Sequence, residues 1–230
     1  MATQLQIVNS VLRRLRENTV ATVGANTYSK MVAEFVNEAK RYVEDRWDWL
    51  NLRQTIVVPT VAGIYKYTLT GAGDRYRILR DYSTNPVGWD VINNTRDYNL
   101  WKAPSSAWMT RHLTSNSVQS GDPIYFDING QSGGDPQVDL FPIPGSAMEI
   151  NFNLVIPQAD FATDGTDDST ELAVPAWPVI LKAYALVLAE RGEDGGSSQR
   201  KAEEAAERAL FDAIQLEMGH NPEETDVYLA

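Results

Sequence analysis

The N-terminal fifty residues have the spacing of two amphipathic helices. Residues 4–18 carry one stripe of apolar side chains, and Thr3 with Gln6 has the spacing of a capping box at its start. Apolar positions in residues 27–49 follow the same helical period, with charged residues on the other face. A short loop containing Gly, Asn and Thr joins the two segments, so we predict an antiparallel helical hairpin.

Helical patterns return near the other end of the chain. Pro175 and Pro178 open a segment, residues 179–189, that is apolar on nearly every side, which is typical of a helix buried among others. A last helix is predicted over residues 198–218, ended by Gly219. Its inward stripe consists mostly of small residues, which allow close helix approach: Ala202, Ala205, Ala206, Ala209, Ala213 and Leu216.

The middle of the chain is rich in β-branched and aromatic residues. Residues 54–58 and 65–69 flank the turn-like residues 59–63 and together predict a β-hairpin. Residues 90–101 fit neither the helical nor the strand period, and we predict an irregular arm there. Further short strands, which favour a small antiparallel sandwich or barrel, are predicted at residues 76–82, 106–113, 123–128, 137–141 and 148–156.

These patterns predict an α+β fold in which both chain ends build one helical domain. We expect a helical domain of residues 1–52 and 174–220, an inserted antiparallel β sandwich or barrel of residues 53–173, and an extended tail of residues 221–230. The two chain ends have to meet, because neither helix pair can bury its apolar stripe alone.

Composition narrows the possible chemistry. The 230 residues are 43% hydrophobic and 22% charged, as in ordinary globular proteins, and the length suits one domain with an insertion. Without cysteine there are no disulfide frameworks, cysteine-based zinc sites or thiol nucleophiles, and His112 and His220 are the only histidines. The pattern also predicts neither a signal peptide nor a membrane-spanning segment.

The net charge of −11 is concentrated near the C-terminus. Residues 160–230 contain 16 acidic and 5 basic residues, whereas residues 1–159 contain 15 of each. An acidic surface repels phosphate backbones, so adhesive binding to nucleic acid is not expected.

One acidic loop resembles a calcium-binding loop in part. Residues 160–171 place Asp, Gly and Glu at several positions that an EF-hand requires. However, Ala162 stands where a ligand oxygen is needed, and the preceding segment is predicted to be a strand. We therefore interpret this loop as an acidic turn leading to a helix, and we predict no metal site.

No group of residues matches a known catalytic pattern. Asp122, Asp127, Asp135 and Asp139 lie close in sequence and could include a glycosidase pair, but aspartates that form turns are more common. The chain lacks a Gly-x-Ser-x-Gly turn, and its glycines do not form a dinucleotide-binding loop. We predict no catalytic residue, no cofactor and no enzymatic activity.

Two groups of arginines and three tryptophans each have two possible roles. The arginines could contact DNA phosphates or pair with acidic residues: Arg13, Arg14 and Arg16 in the first helix, and Arg75, Arg77 and Arg80 near a strand. Trp89, Trp101 and Trp108 could belong to an interface or to the core.

Several short motifs occur in a characteristic order. Residues 47–50 (WDWL) follow the helical hairpin, and residues 104–108 (PSSAW) precede a predicted strand. Residues 121–126 (GDPIYF) and 139–144 (DLFPIP) follow, and residues 174–177 (VPAW) come before the apolar helix. Over about residues 1–220, this order resembles the head-to-tail adaptor, or connector, proteins of short-tailed bacteriophages, also called tail tubular protein A or gatekeeper.

The resemblance implies a structural protein of the virion that is assembled in the host cytoplasm. Such proteins form a twelve-fold ring between the portal protein and the tail nozzle, through which genomic DNA passes during ejection. The helical part builds the ring, and the β part projects toward the nozzle. The tail of the chain docks on the portal, which assigns that role here to Val227, Tyr228 and Leu229. No membrane, cofactor or active site is implied.

An acidic surface suits a DNA channel, because like charge keeps the DNA from adhering to the wall. We therefore expect Glu203, Glu204 and Glu207 to face the channel. One alternative function is a β-rich binding module that recognises a glycan or another tail protein, and a further alternative is a carboxylate-based hydrolase.

Overall fold

The computed structural model describes residues 2–81, 88–115, 119–193 and 197–220. The chain divides into two compact units: a helical unit, Met1–Leu52 with Pro157–Ala230, and a β unit, Arg53–Ile156. The α+β class, with helices from both chain ends and a β-rich middle, is confirmed. No described helix is both long and apolar enough to cross a membrane.

Four helices belong to the helical unit: α1 (Gln4–Arg14), α2 (Thr27–Glu44), α4 (Ala176–Leu188) and α5 (Ser197–His220). The fifth described helix, α3 (Ser106–Leu113), lies in the β unit. Short 3₁₀ turns occupy Val23–Ala25 and Leu50–Leu52, and a π turn over Ala189–Glu193 follows α4.

The predicted capping box starts α1. The Thr3 hydroxyl accepts a hydrogen bond from the Gln6 backbone N–H, and the Gln6 side chain accepts one from the Thr3 N–H. The second helix is shorter than predicted because α2 ends at Glu44. Beyond it, Trp49 folds back into the core and donates its indole N–H to the Val43 carbonyl at 2.9 Å.

The apolar helix α4 lies at the centre of the helical unit. It contacts α1, α2 and α5, and Val179, Ala183 and Val187 are fully buried. The alanine stripe of α5 faces it, with Ala206 and Ala209 packed against α4. A helix that is apolar all round needs neighbours on several sides, and these three helices provide them.

The segment between the last strand and α4 packs on the helical unit, although we expected residues 157–173 in the β domain. The Gln4 N–H donates to the Thr170 carbonyl at 3.0 Å, and the Leu172 N–H donates to the Ala2 carbonyl at 3.0 Å. This return segment therefore ties the start of α1 to the C-terminal half of the chain.

The β unit contains two main sheets. The first has the order β1-β13-β6-β7 with β3 also paired to β13, and the second has the order β2-β11-β10-β8. Two short strand pairs, β4 with β5 and β9 with β12, complete it. The strands are β1 (Arg53–Pro59), β2 (Lys66–Thr68), β3 (Arg77–Ile78), β4 (Arg80–Asp81), β5 (Gly88–Trp89), β6 (Val91–Asn93), β7 (Tyr98–Asn99), β8 (Trp101–Lys102), β9 (Ser120–Gly121), β10 (Tyr125–Ser132), β11 (Asp135–Phe141), β12 (Ile143–Pro144) and β13 (Glu149–Val155).

Both sheets contribute to one apolar core. Phe152 of β13 and Phe126 of β10 meet edge to face, with ring centroids 5.8 Å apart, and Val58, Val138 and Leu140 pack in the same cluster. Two sheets that share one core in this way form a sandwich, one of the two architectures that the short strands predicted, although β8 with β10 and β9 with β12 pair in parallel.

The predicted hairpin of β1 and β2 is wrong. β1 pairs along its whole length with β13, from Arg53 opposite Val155 to Pro59 opposite Glu149, whereas β2 pairs with β11 in the other sheet. The turn signal between them marks a crossing from one sheet to the other. Local sequence cannot distinguish the two cases, because both need the same turn residues.

Two further predictions in the middle of the chain are wrong. Residues 106–113 form α3 and not a strand: the Ser105 hydroxyl caps the helix by accepting from the Trp108 N–H, and Met109 and Leu113 bury one face. Residues 90–101 form short paired strands in place of an irregular arm. Strands of two or three residues are too short to show a period.

Candidate functional site

A surface groove runs between α1 and α5 with α4 as its floor. It has a volume of about 530 Å³. We call it the α1–α5 groove, and its lining residues are Arg14, Trp177, Leu181, Lys201, Glu204, Ala205, Arg208, Ala209 and Asp212.

Trp177 is the most exposed apolar residue of the α1–α5 groove. It lies in the first turn of α4, between Pro175 and Pro178, and 55% of its surface is exposed. The guanidinium carbon of Arg14 lies 4.8 Å from the centroid of its ring, a cation–π arrangement. One turn further along α4, Leu181 is buried beside Ala209. Small residues on α5 thus leave room for the groove.

The described part of the helical unit exposes three large apolar side chains, of which Trp177 lines this groove. Phe211 and Leu216 on α5 are 61% and 68% exposed, and with Trp177 they are the large exposed hydrophobic residues among the described part of this unit. An exposed tryptophan in a groove is a candidate anchor for an interaction partner.

The inward position predicted for Leu216 is wrong. Trp177 and Asp212 line the same groove, which places the first turn of α4 beside Asp212. The last turns of α5 therefore extend beyond the start of α4, so that Leu216 lacks the helix that covers Ala206 and Ala209. Helical periodicity placed the stripe on the face of α5 that packs on α4. It could not show that α4 begins too late in the chain to cover Leu216.

The three acidic candidates on α5 differ in their surroundings. Glu203 pairs with Lys182 of α4, and Glu207 accepts a hydrogen bond from the hydroxyl of Tyr42 on α2. Burial and, next, this bond to Glu207 raise the pKa of Tyr42. The side chain of Glu204 is exposed, and its carboxylate lies 3.6 Å from Arg200. Two of the three carboxylates are thus engaged with other helices of the unit.

A buried cation holds the return segment onto α2. Lys40 is fully buried, and its ammonium donates to the carbonyls of Gln158 at 2.6 Å and Ala159 at 3.0 Å. The buried carboxylate of Glu44 lies 3.4 Å away, and that of Asp160 lies 3.6 Å away. Hydrogen bonds from Arg41 lower the pKa of Asp160. The cluster compensates its own charges and leaves no free acid or base for catalysis.

The carboxylates of residues 160–171 are directed to separate protein donors. Asp168 accepts from the Val23 N–H, Asp167 from the Ala162 N–H, and Asp164 from the N–H and hydroxyl of Thr166. Among the described residues, no group of three or more acidic or histidine side chains is arranged to hold a metal ion. The loop serves to pack against the α1–α2 connection.

The four aspartates of the middle region divide into separate groups. Asp122 pairs with Arg96 at 3.1 Å, and Asp135 accepts from the N–H groups of Gly71 and Gly73.

Asp127 and Asp139 lie directly opposite each other on β10 and β11, and both are nearly fully buried. Asn129 donates to Asp139 Oδ2 at 2.8 Å, and the Lys66 ammonium lies 3.5 Å from Asp139 Oδ1. No described group forms a hydrogen bond to Asp139 Oδ1 or to Asp127 Oδ2. This buried pair differs from a glycosidase site, which must be open to its substrate.

The histidines and tryptophans have mainly packing roles. His112 stacks on Trp108 with centroids 4.0 Å apart, and both contact Phe141. Trp89 lies beneath Arg80, whose guanidinium carbon is 3.5 Å from the ring centroid. Trp101 remains 43% exposed. His220 lies near Glu217 at the end of α5.

The proposed portal-docking residues Val227, Tyr228 and Leu229 lie outside the described residues. Sequence reasoning also missed the α1–α5 groove, although two exposed apolar residues, Phe211 and Trp177, fall outside the buried stripes of their helices and could have signalled it.

Comparison with known proteins adds one finding. No curated protein matches the chain. The family described as SU10 adaptor protein matches residues 2–226, which is nearly the whole chain and includes both units. Since the match covers far more than half of the sequence, the chain belongs to the SU10 adaptor protein family, a family of structural adaptor proteins of phage virions.

Proposed function

We propose that this protein is an adaptor of the tail tubular protein A type in a short-tailed phage, forming a twelve-fold ring between the portal protein and the tail nozzle. The family match over residues 2–226 carries this proposal. The exposed Trp177 in the α1–α5 groove supports it, because a ring subunit needs surfaces that its neighbours cover. The role requires binding surfaces and no catalytic step.

The chain end is proposed to dock on the portal. Val227, Tyr228 and Leu229 are an apolar group that follows an acidic segment, and an extended apolar tip can insert into a pocket of a larger protein. Replacing all three with Asp should abolish binding to the portal protein and leave the circular dichroism spectrum unchanged. Wild-type portal binding by this variant would exclude the docking role.

The helical unit is proposed to line a channel for genomic DNA. Its sequence holds 22 acidic and 12 basic residues, so its surface repels phosphates. Glu207 is exposed although it bonds to Tyr42, Glu203 is half-buried beside Lys182, and Glu204 is exposed at the rim of the α1–α5 groove. A density map of the ring with all three side chains on its outer rim would contradict this assignment.

The β unit is proposed to face the tail nozzle. It exposes several large apolar side chains that a protein partner could cover: Val57, Val61, Ile64, Trp101 and Ile124. The same residues leave a glycan-binding module as the alternative, since an exposed tryptophan also stacks on sugars. Binding to a glycan array, together with no affinity for the nozzle protein, would favour that alternative.

One experiment tests the adaptor role directly. The purified protein is mixed with the portal protein encoded in the same phage genome and imaged by electron cryomicroscopy. We expect rings of the protein on one face of the portal, with DNA-sized central openings. A protein that neither binds the portal nor forms rings in its presence would overturn the proposed function.

A further inference from the structure

We propose that the α1–α5 groove receives helix α2 of a second copy of this chain. This inference rests on the proposed ring, for which it names the surfaces that join neighbouring subunits. It follows from the chemistry of the groove, the chemistry of the exposed face of α2, and the positions of both within the helical unit.

The groove combines an apolar floor with a basic rim. Trp177, Leu181 and Ala209 supply apolar surface. Arg14, Lys201 and Arg208 supply three positive charges, and Glu204 and Asp212 supply two negative ones. Lys201 and Arg208 are exposed and have no ion-pair partner among the described residues. On a unit with ten more acids than bases, this is a locally positive site.

The exposed face of α2 has the complementary charge. Glu34 and Glu38 are exposed and lie one helical turn apart, about 6 Å along the axis. Neither carboxylate has an ion-pair partner within the part of the chain that the structure describes. Arg41, one turn further on, is held by Asp160, and exposed Lys30, one turn before Glu34, leaves a net charge of −1 on this part of α2. We call Glu34 and Glu38 the α2 face.

Helix α2 and the groove lie on different sides of α4. Helix α4 is surrounded by α1, α2 and α5. Helix α2 contacts α1, and its Tyr42 bonds to Glu207 of α5, so it closes one side of α4. The groove opens on the remaining side, between α1 and α5. A contact between different sides of identical subunits repeats in one direction and closes into a ring when the rotation allows it.

The charges also argue against a symmetric pairing of two grooves. Such a contact would set two grooves of net positive charge together, each with three basic and two acidic side chains, and would therefore gain less from charge than a contact with the α2 face. The α2 face offers opposite charge, and Trp177 offers the large aromatic anchor that interface centres favour.

A charge exchange tests the proposal. The variants Glu34→Lys/Glu38→Lys and Lys201→Glu/Arg208→Glu each place like charges across the proposed contact, and the fourfold variant restores opposite charges. All four positions are exposed, so folding should be unaffected, which circular dichroism and the melting temperature check. Ring formation on the portal is measured by sedimentation velocity as a function of protein concentration.

We expect each double variant to need at least about tenfold more protein to form rings, and the fourfold variant to recover most of that loss. Rings that form from both double variants as readily as from the wild type would overturn the inference but leave the proposed function intact. Loss of rings only in the groove variant, without rescue, would assign the groove to another occupant, such as residues 221–230 or the portal. No rings from the wild type would overturn both proposals.

Cysteine cross-linking gives an independent test, because the chain has no natural cysteine. Copies that carry both Lys201→Cys and Glu38→Cys should form a ladder of disulfide-linked oligomers when rings are oxidised. The matched controls are the single variants Lys201→Cys and Glu38→Cys, which each lack the second thiol of the proposed contact and should form no ladder. No ladder from the double variant, or the same ladder from a single variant, would contradict the proposed contact.

Discussion

The helical unit and the β unit differ in charge and in what holds them together. The helical unit contains 22 acidic and 12 basic residues, whereas the β unit contains 9 and 8. A buried ammonium with its carboxylate and carbonyl partners secures the helical unit, while the β unit depends on an apolar core between two sheets. The strongly charged unit is also the one with the α1–α5 groove, the surface that we propose joins neighbouring subunits. Hydrogen exchange, measured peptide by peptide, can follow the stability of each unit separately.

The largest loss of stability is expected from a change in the buried ion cluster around Lys40. Lys40→Met keeps the aliphatic stem but removes the ammonium, which leaves Glu44 buried without its cation. We expect the helical unit to lose about 3–5 kcal/mol of unfolding free energy. The exposed neighbour provides the control, since Arg41→Gln should cost less than about 1 kcal/mol. Equal effects of the two changes would show that the cluster does not secure the unit.

The next largest loss of stability is expected from a substitution in the apolar core of the β unit. Phe152→Ala removes a fully buried ring that packs on Phe126 and leaves a cavity between the sheets. We expect a loss of about 3 kcal/mol in the unfolding free energy of the β unit. Exchange protection of α2 and α4 should change less than that of β10 and β13. Uniform loss across the chain would mean that the two units unfold as one.

A smaller difference in unfolding free energy is expected between proline substitutions on the two edges of β1. The Thr60 N–H donates to the Met148 carbonyl at 2.7 Å, and continuing this register places the Ile56 N–H toward β13 and the Val57 N–H away from it. Ile56→Pro should cost about 1–3 kcal/mol, because it leaves a carbonyl of β13 unpaired. Val57→Pro should cost less, since proline is tolerated where the N–H faces solvent. Urea denaturation of both variants measures the difference.

The smallest effect is a pH dependence of opposite sign in the two units. Burial raises the pKa of Asp90 in the β unit, whereas hydrogen bonds from Arg41 lower the pKa of Asp160 in the helical unit. The folded β unit therefore binds a proton at Asp90 more tightly than the unfolded chain does, and it gains stability as the pH falls from 7 toward about 4. The contribution of Asp160 is present above its unfolded pKa and is lost only in stronger acid, below about pH 4.

Exchange rates measured in steps from pH 7 to pH 4, corrected for intrinsic pH dependence, test this difference. Asp90→Asn should remove the gain in the β unit and leave the helical unit unchanged. If the variant keeps the wild-type pH dependence, the gain comes from another group.

Local features of the fold were predictable where neighbours in sequence are also neighbours in space. The capping box at Thr3, the buried helix α4 and the alanine stripe of α5 all depend on side chains three or four residues apart. The pairing of β1 with β13 was not predictable, since nearly a hundred residues separate Thr55 from its partner Asn153. Helix α3 was missed because its eight residues carry too little period to outweigh their aromatic content.

The sequence by itself determined the α+β class, the helices at both ends and the location of the charge. These follow from side-chain periodicity and from counting, which need no knowledge of contacts. Tertiary structure alone decided that the return segment after β13 is held by Lys40, that Leu216 extends past α4, and that a groove opens beside Trp177. These features depend on which helix covers which surface and where it begins. Packing of distant segments sets that arrangement, and no local pattern encodes it.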